Sequence, residues 1–265
     1  MRAKLLGRLT VDLGMLVVTC AVLLAVLVVP AGRDERTGPG SSAGDPVPVA
    51  SNSGTGAGYG SGHPAPWRQQ SRSISPDEHV RRVRREDGIV MFGDSISVQD
   101  GRSLAALLSR TTGDSLATHN WSGRPTAPAV DALQQWADDF GLPRRILLSL
   151  GSNDIFDPAG FAAQVDRAMR IAGPDRTVFW VNVQVARTRQ TPAARLADQR
   201  NSQWINLQLA AARQRHPNLR IVGWAEFLAS DPRRLTTHLR DGVHTSVPVG
   251  QQARNTLIVG AVRAG

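Results

Sequence analysis

Short apolar runs alternate with helix-like segments from residue 88 to the end of the chain, and this alternation constrains the fold more than any other feature. Hydrophobic periodicity predicts strands at 88–92, 115–119, 145–150, 177–183 and 219–223, and helices at 99–110, 129–140, 158–172, 192–215 and 248–262. Strands that alternate with helices pair in parallel through right-handed crossovers and carry helices on both faces. The sequence therefore predicts a three-layer α/β/α domain around a parallel five-stranded sheet.

Polar loops follow the first three predicted strands. Ser95 comes directly after the first strand, Gly123 lies in the loop after the second, and Asn153 follows the third. In an open parallel sheet, functional groups collect beyond the carboxyl ends of the strands. If the strand order is 2-1-3-4-5, these three loops are neighbours in space. The loop that holds Asp241 and His244 precedes the last helix and must cross the same edge.

These residue types fit nucleophilic catalysis on an acyl group. Ser95 becomes a nucleophile once a base takes its proton, and histidine is the usual base because its side chain titrates near neutrality. Asp241 lies three residues before His244, a spacing that lets the carboxylate reach Nδ1 and hold the tautomer. The oxyanion of a tetrahedral intermediate needs preorganised donors, which we assign to the backbone N–H groups of Ser95 and Gly123 and the side-chain amide of Asn153.

The same residues resemble a known family. The SGNH/GDSL hydrolases carry four sequence blocks, and this chain has similar ones in the same order: Gly93-Asp94-Ser95-Ile96-Ser97, Gly123, Gly151-Ser152-Asn153-Asp154 and Asp241-Gly242-Val243-His244. The resemblance covers essentially all of residues 88–265. It implies a flavodoxin-like fold, a Ser95–His244–Asp241 triad, and an oxyanion hole of Ser95, Gly123 and Asn153. It also implies ester or thioester substrates, which in some members are O-acetyl groups on cell-envelope sugars.

The first 31 residues have the features of a signal anchor. Leu13–Val29 is a run of 17 uncharged residues, at the low end of the length that spans a bilayer. Three basic residues precede it (Arg2, Lys4 and Arg8), whereas the charges directly after it cancel. The positive-inside rule then predicts one membrane helix with the rest of the chain on the extracytoplasmic side. The alternative is secretion after cleavage near Val29-Pro30-Ala31.

A change in composition separates this anchor from the predicted catalytic domain. Residues 38–70 are rich in Gly, Ser, Pro and Ala without apolar periodicity, so residues 32–72 are predicted to be a disordered linker. The catalytic domain is predicted to span residues 73–265. Ser75, Pro76 and Glu78 fit the N-cap, first and third positions of a helix that runs to Arg85.

Composition excludes several other classes of protein. The formal net charge is +9 and Lys4 is the only lysine, but the basic residues form no stripe with interleaved aromatics, so no nucleic-acid partner is expected. Cys20 is the only cysteine, which rules out an intramolecular disulfide. No His, Asp and Glu set has zinc-ligand spacing, so neither a metal nor another cofactor is expected. We expect a monomer.

Other residues near the predicted site have two readings each. Arg124 and Arg187, with Arg189, lie on loops at the carboxyl edge and could contact an anionic substrate, or could be ordinary surface arginines. Trp121 could form a platform for a sugar or pack against its own loop. For His119, a packed or surface position is favoured over a catalytic role. For Asp94 and Asp154, turn and capping roles are favoured over acid–base catalysis.

The expected activity is that of a serine esterase that hydrolyses or transfers an acyl group, with O-acetyl or other O-acyl esters of an envelope glycan as substrates. Lipid ester or thioester hydrolysis is the alternative within enzymes. A non-catalytic carbohydrate-binding domain that keeps the fold is the alternative from another class, and the presence of a residue for every catalytic role argues against it.

Overall fold

In the computed structural model of the chain, residues 58–265 are described, and their backbone forms a six-stranded sheet with helices on both faces. The strands are β1 (Arg72–Ile74), β2 (Ile89–Gly93), β3 (Leu116–Trp121), β4 (Arg145–Ser149), β5 (Thr177–Val181) and β6 (Leu219–Val222). The helices are α1 (Asp77–Arg85), α2 (Ser95–Thr112), α3 (Thr126–Phe140), α4 (Phe161–Ala172), α5 (Pro192–Arg215), α6 (Trp224–Ala229), α7 (Arg234–Thr237) and α8 (Val249–Ala264). Short 3₁₀ turns lie at Gly58–Gly60, Trp67–Gln69, Asp154–Phe156 and Pro158–Gly160.

The sheet order is β1-β3-β2-β4-β5-β6. Strands β2 to β6 pair in parallel, and β2 lies between β3 and β4. The three-layer α/β architecture is therefore confirmed, and the five predicted strands have the expected 2-1-3-4-5 order. The carboxyl ends of β3, β2 and β4 meet at one edge, because the register aligns Gly93 with Asn120 on one side and with Ser149 on the other.

The prediction of a purely parallel five-stranded sheet is wrong, because β1 adds an antiparallel edge strand next to β3. All three residues of β1 are exposed, so the strand has no apolar pattern that sequence periodicity could detect. The predicted N-cap role of Ser75 is also wrong. Helix α1 has Pro76 at its N-cap with no side-chain bond, and the Ser75 hydroxyl instead accepts a hydrogen bond from the Thr118 N–H at 2.9 Å.

Alternate residues of the strands pack on opposite faces of the sheet, as the two-residue period of a strand requires. Val90 and Phe92 of β2 face a core shared with α1, α3, α4 and α5, whereas Ile89 and Met91 face a core shared with α2, α6 and α8. Every residue of β2 is buried. The strand that leads to Ser95 is thus enclosed between two helical layers, which gives that residue a rigid support.

The described part of the predicted linker packs against the domain. We call residues 58–70 the strap. Ser61 is buried in it, the Tyr59 carbonyl accepts hydrogen bonds from Arg200 and Asn201 at 2.6 Å and 3.2 Å, and the Trp67 ring meets Trp121 edge to face at 4.9 Å. Packed structure therefore begins before residue 73, the predicted start of the domain. The reason is that single aromatic and polar groups of this Gly/Pro-rich segment contact side chains of the domain.

The predicted membrane anchor, residues 1–31, lies outside the described residues. Within residues 58–265, none of the helices combines the length and the apolar character needed to cross a bilayer.

Candidate active site

The turn from β2 into α2 presents Ser95 at the first position of the helix. Asp94 is the N-cap, and its Oδ1 accepts a hydrogen bond from the Ile96 N–H at 3.0 Å. A Cβ at Gly93 would lie 2.3 Å from the Ser97 side chain, so only glycine fits at this position of the turn. This cap starts the helix at Ser95, four residues before its predicted start, and aims the hydroxyl out of the sheet edge.

The structure brings Ser95, His244 and Asp241 together. His244 Nε2 lies 2.8 Å from Ser95 Oγ, and His244 Nδ1 lies 2.9 Å from Asp241 Oδ2. With Nδ1 protonated toward the carboxylate, Nε2 is free to accept the serine proton. The geometry is that of a nucleophile, a base and the group that orients the base.

The loop around Asp241 holds the carboxylate in its ionised form. Burial opposes ionisation of Asp241, but hydrogen bonds from the backbone N–H and the side chain of His244, together with the Val243 N–H, keep its pKa below the usual value. The Ala186 N–H donates to the Gly242 carbonyl at 2.9 Å, which fixes this loop to the segment after β5. A charged, anchored carboxylate can orient His244 and stabilise its protonated form.

Two of the three predicted oxyanion donors border the same space. Ser95 and Asn153 line one cavity, and the Asn153 side-chain amide donates to the Arg124 carbonyl at 3.3 Å, which limits its rotation. The Ser95 N–H belongs to the first turn of α2, where backbone amides have no intrahelical acceptor. Gly123 is not among the residues that line this cavity; a Cβ there would lie 3.2 Å from the Trp67 side chain. Its role as a donor stays a prediction.

The cavity beside Ser95, which we call the acyl cavity, has a volume of about 260 Å³. Its walls are mainly apolar and include Ile155, Phe156, Val185 and Val243. Arg187, predicted to contact substrate, does line it, but its guanidinium is paired with Asp198 at 2.7 Å. The cavity therefore offers an apolar surface to whatever is attached to a carbonyl held at Ser95.

A metal centre finds no support in the described part of the chain, where His, Cys, Asp and Glu form no cluster of three or more that could hold an ion.

Solved structures with the same fold include three lipolytic or acyl-transferring proteins. The C-terminal catalytic domain of peptidoglycan O-acetyltransferase A from Streptococcus pneumoniae is 15% identical, with a TM-score of 0.53 over 67% of this chain and 93% of that one. A GDSL-like lipase from Bacteroides thetaiotaomicron is 14% identical, with a TM-score of 0.53 over 68% and 87%. A lipolytic protein of the G-D-S-L family from Veillonella parvula is 18% identical, with a TM-score of 0.52 over 67% and 96%.

The chain has the SGNH/GDSL hydrolase fold. No protein-family model matches the sequence, and no curated protein matches it significantly. The fold of residues 58–265 agrees with the fold that the four sequence blocks imply.

Within this SGNH fold, Arg124 is not a substrate contact, which corrects the prediction from the sequence. It is 1% exposed, and its guanidinium donates to the Gly93 carbonyl at 3.0 Å and to His119 Nδ1 at 2.7 Å. Burial lowers the pKa of Arg124 to about 10. Burial, and then the Arg124 charge, lower the pKa of His119 to about 4, so His119 is a neutral, packed acceptor. Arg124 thus ties β2 to β3 from beneath the site.

Asp94 and Asp154 have capping roles, as the sequence favours. Asp154 accepts hydrogen bonds from the Thr126 N–H at 3.0 Å and the Thr126 hydroxyl at 2.7 Å, and so caps α3 rather than its own turn. Burial raises the pKa of Asp154 to about 6 and also raises the pKa of Asp94. The Ser152 hydroxyl donates to Asp94 Oδ2, which connects the two loops that carry Ser95 and Asn153.

Sequence reasoning missed a buried polar cluster behind the SGNH site. Asp100 and Arg254 are 0% and 2% exposed, with Arg254 Nη1 3.7 Å from Asp100 Oδ2, and Arg254 Nη2 donates to Ser149 Oγ at 2.5 Å. The signal for both was present in the sequence. Asp100 lies four residues before Leu104 on the buried face of α2, and Arg254 lies four before Ile258 on the buried face of α8. A charged residue on an apolar face needs a buried partner.

Proposed function

We propose that this chain is a serine-dependent acyl esterase or acyltransferase that uses Ser95 as nucleophile, His244 as general acid and base, and Asp241 as the group that orients the imidazole. The observation that carries the proposal is the hydrogen-bonded line from Ser95 Oγ to His244 to Asp241, at 2.8 Å and 2.9 Å. This line borders an apolar cavity together with an amide donor.

In the acylation step, His244 Nε2 takes the proton of Ser95 as its oxygen attacks the ester carbonyl carbon. The carbonyl oxygen becomes an oxyanion that accepts hydrogen bonds from the Ser95 N–H and the Asn153 amide; one such donor typically contributes about 2.7–4 kcal/mol to lowering the barrier. The imidazolium then gives its proton to the departing alcohol. An acyl group remains on Ser95 Oγ.

The deacylation step repeats the same proton movements with a second nucleophile. His244 takes a proton from water, or from a sugar hydroxyl, whose oxygen attacks the acyl carbon. Collapse of the intermediate returns the proton to Ser95 Oγ and releases a carboxylic acid or a new ester. Water gives hydrolysis and a hydroxyl gives transfer, and both use the same residues.

The substrates that we propose are O-acetyl or other O-acyl esters of a cell-envelope glycan. The SGNH fold, shared with the catalytic domain of a peptidoglycan O-acetyltransferase, supports this class. The uncharged run Leu13–Val29 and the basic residues before it support attachment to the cell membrane with the domain on the extracytoplasmic side.

The apolar walls of the acyl cavity favour a second candidate, a lipid ester or thioester with a longer acyl chain. Four apolar side chains, Ile155, Phe156, Val185 and Val243, line the cavity beside Ser95. A series of chromogenic esters from two to twelve carbons separates the candidates: a maximum of kcat/KM at two carbons supports the glycan O-acetylesterase, and a maximum at eight or more supports the lipid enzyme.

The proposal is tested with a small chromogenic acetate ester and the full chain beside Ser95→Ala and His244→Ala. Both variants are expected to lose at least about a thousandfold in kcat, as removal of a triad member does in serine hydrolases. Arg110→Ala, an exposed change at the far end of α2, serves as the control and keeps full activity. Equal rates in wild type and Ser95→Ala would contradict the proposal and favour a non-catalytic domain.

A further inference from the structure

A second depression adjoins the acyl cavity, and we call it the side basin. Its volume is about 620 Å³, within the range of about 300–1,000 Å³ found for small-molecule sites. Asn153 and Phe156 line both spaces, so the predicted oxyanion donor lies where they meet. An ester carbonyl held at Asn153 has one substituent on each side of its carbon. The two spaces therefore offer separate places for the two substituents.

The strap forms one wall of the side basin through Gly62, His63 and Pro64. This wall is fastened at its N-terminal end, through Ser61. The Ser61 carbonyl accepts a hydrogen bond from Arg187 at 2.5 Å, and the Ser61 hydroxyl accepts one from Asn201 at 3.0 Å. Asp157, on the segment from β4 to α4, and Gln164, on α4, also line the basin.

The strap and the shared Phe156 wall are mechanically connected through Arg187. The Arg187 Cζ atom lies 4.8 Å from the centroid of the Phe156 ring, and its guanidinium is also paired with the fully buried Asp198 carboxylate. Arg187 therefore holds Phe156 in place between the two spaces. This role, rather than a contact with an anionic substrate, accounts for its position at the acyl cavity.

The wall of the side basin carries polar side chains beside an aromatic ring. His63 and Asp157 are exposed, and Gln164 Oε1 has no hydrogen-bond donor within residues 58–265. An imidazole, a carboxylate and an amide beside the Phe156 ring suit a ligand with many hydroxyls and apolar C–H faces. Among the described residues that line the basin there are two aspartates, Asp154 and Asp157, and neither arginine nor lysine. An anionic ligand would meet carboxylates without a cation to balance them.

We propose that the side basin binds the alcohol part of the ester and that this part is an uncharged saccharide, with the strap as a specificity wall. The inference rests on the proposed esterase function and deepens it. The acyl group lies against Ile155, Val185 and Val243, and the sugar ring contacts His63 on the strap and Asp157 after β4. Glycans whose nearest sugar carries a carboxylate or phosphate are poor substrates.

The experiment compares three acetate esters on the full chain: a small chromogenic acetate, the 6-O-acetyl ester of a neutral methyl N-acetylglucosaminide, and an O-acetylated methyl glucuronide. The wild type is expected to prefer the neutral sugar ester to the glucuronide by at least about tenfold in kcat/KM. His63→Ala is expected to lower the ratio of kcat/KM for the neutral sugar ester to that for the chromogenic ester about fivefold to tenfold, the loss typical of one hydrogen bond. Asp157→Asn is expected to raise kcat/KM for the glucuronide, since it removes a repelling charge.

Gln69→Ala is the matched control, because Gln69 is exposed on the strap and lies outside both spaces. It leaves both ratios unchanged. Hydrolysis of all esters by the wild type, with ratios that His63→Ala and Asp157→Asn do not alter, would overturn the side basin as a saccharide site while leaving the esterase proposal intact. Failure of the wild type to hydrolyse any of the esters would instead remove the proposed function. A melting temperature within about 3 °C of wild type verifies that each exposed change leaves the fold intact.

Discussion

The Thr245 hydroxyl lies 2.9 Å and 3.0 Å from the two carboxylate oxygens of Asp100, and both side chains are fully buried. Thr245 directly follows His244, whereas Asp100 lies on the helix that begins with Ser95. Gln99 Nε2 also donates to the Thr245 hydroxyl at 2.7 Å. Buried hydrogen bonds therefore join the loop that carries His244 to the helix that carries Ser95. These bonds are shielded from solvent, and they help to set the distance between Ser95 and His244.

Thr245→Val keeps the shape of the side chain but removes its hydroxyl. Asp100 then loses a buried donor, so we expect the free energy of unfolding to fall by about 1–3 kcal/mol. We expect kcat on the small ester to fall with little change in KM, because the loop that aims His244 is less firmly held. Urea unfolding and steady-state kinetics measure the two effects. Thr245→Ser keeps the hydroxyl and lacks only the methyl group, so it should retain kcat; a wild-type kcat in Thr245→Val would contradict the role of the hydroxyl.

Asp241→Asn removes the charge that orients His244 while keeping the size of the side chain. In serine proteases the equivalent change lowers kcat about 10⁴-fold, and we expect a loss of at least about 10³-fold here. Steady-state kinetics on the chromogenic acetate test this. Arg240→Gln is the control, because Arg240 Nη2 lies 3.6 Å from Asp241 Oδ2 on an exposed side chain, where such a pair contributes little. A similar loss in both variants would show that Arg240 acts on the triad.

Gly242→Ala tests how tightly the base loop is packed. An added Cβ would lie 1.9 Å from the Ala186 carbonyl oxygen, and the φ angle of +83° is strained for any residue with a side chain. We expect a loss of about 3 kcal/mol or more in the free energy of unfolding, together with loss of activity, since Gly242 separates Asp241 from Val243. Gly113 has a similar φ of +77° with nothing within 4 Å of the added atom. Gly113→Ala should therefore cost only about 1 kcal/mol and leave activity unchanged.

Asp154 predicts a specific dependence of stability on pH. Burial raises its pKa from 3.8 to about 6, so the folded state holds the proton more tightly than the unfolded state does. This favourable contribution is fully present below pH 3.8 and is lost as the pH rises through 6. Two pKa units correspond to about 3 kcal/mol. The difference in unfolding free energy between wild type and Asp154→Asn should therefore shift by about 2 kcal/mol, against the wild type, from pH 4 to pH 7, because part of the contribution is already lost at pH 4.

Urea unfolding at pH 4, 5, 6 and 7 measures this difference. Asp139→Asn, at an exposed position on α3, provides the comparison and should show no such trend. A difference that stays constant across the range would mean that the Asp154 carboxyl titrates as it does in the unfolded chain.

Local patterns predicted most of the core of the fold. The five buried strands and five of the helices were found because apolar residues repeat with the period of each element. The 2-1-3-4-5 strand order entered only as the condition under which the three loops are neighbours. Strand β1 and helices α6 and α7 were missed. Arg72–Ile74 is exposed throughout and α7 has only four residues, so neither has an apolar period, and only pairing or packing with distant residues defines them.

The two arginines predicted to contact substrate show that position along the chain does not predict where a side chain points. Arg124 and Arg187 both follow strands at the carboxyl edge, yet the first is buried beneath the edge and the second is paired with Asp198 at the cavity wall. A loop position tells which edge a residue occupies. It does not tell whether the side chain turns outward, because that depends on the acceptors that the neighbouring elements place within reach.

Sequence patterns predict the layered architecture and the residue types available for chemistry, because periodicity and short motifs are properties of neighbouring residues. The folded structure supplies the distance, with His244 Nε2 at 2.8 Å from Ser95 Oγ across 149 positions of the chain. It also decided that Asp100 and Thr245 lock the two together, and that the strap encloses a basin beside them. Those contacts depend on which loops and termini meet at one edge of the sheet, and no local pattern records that meeting.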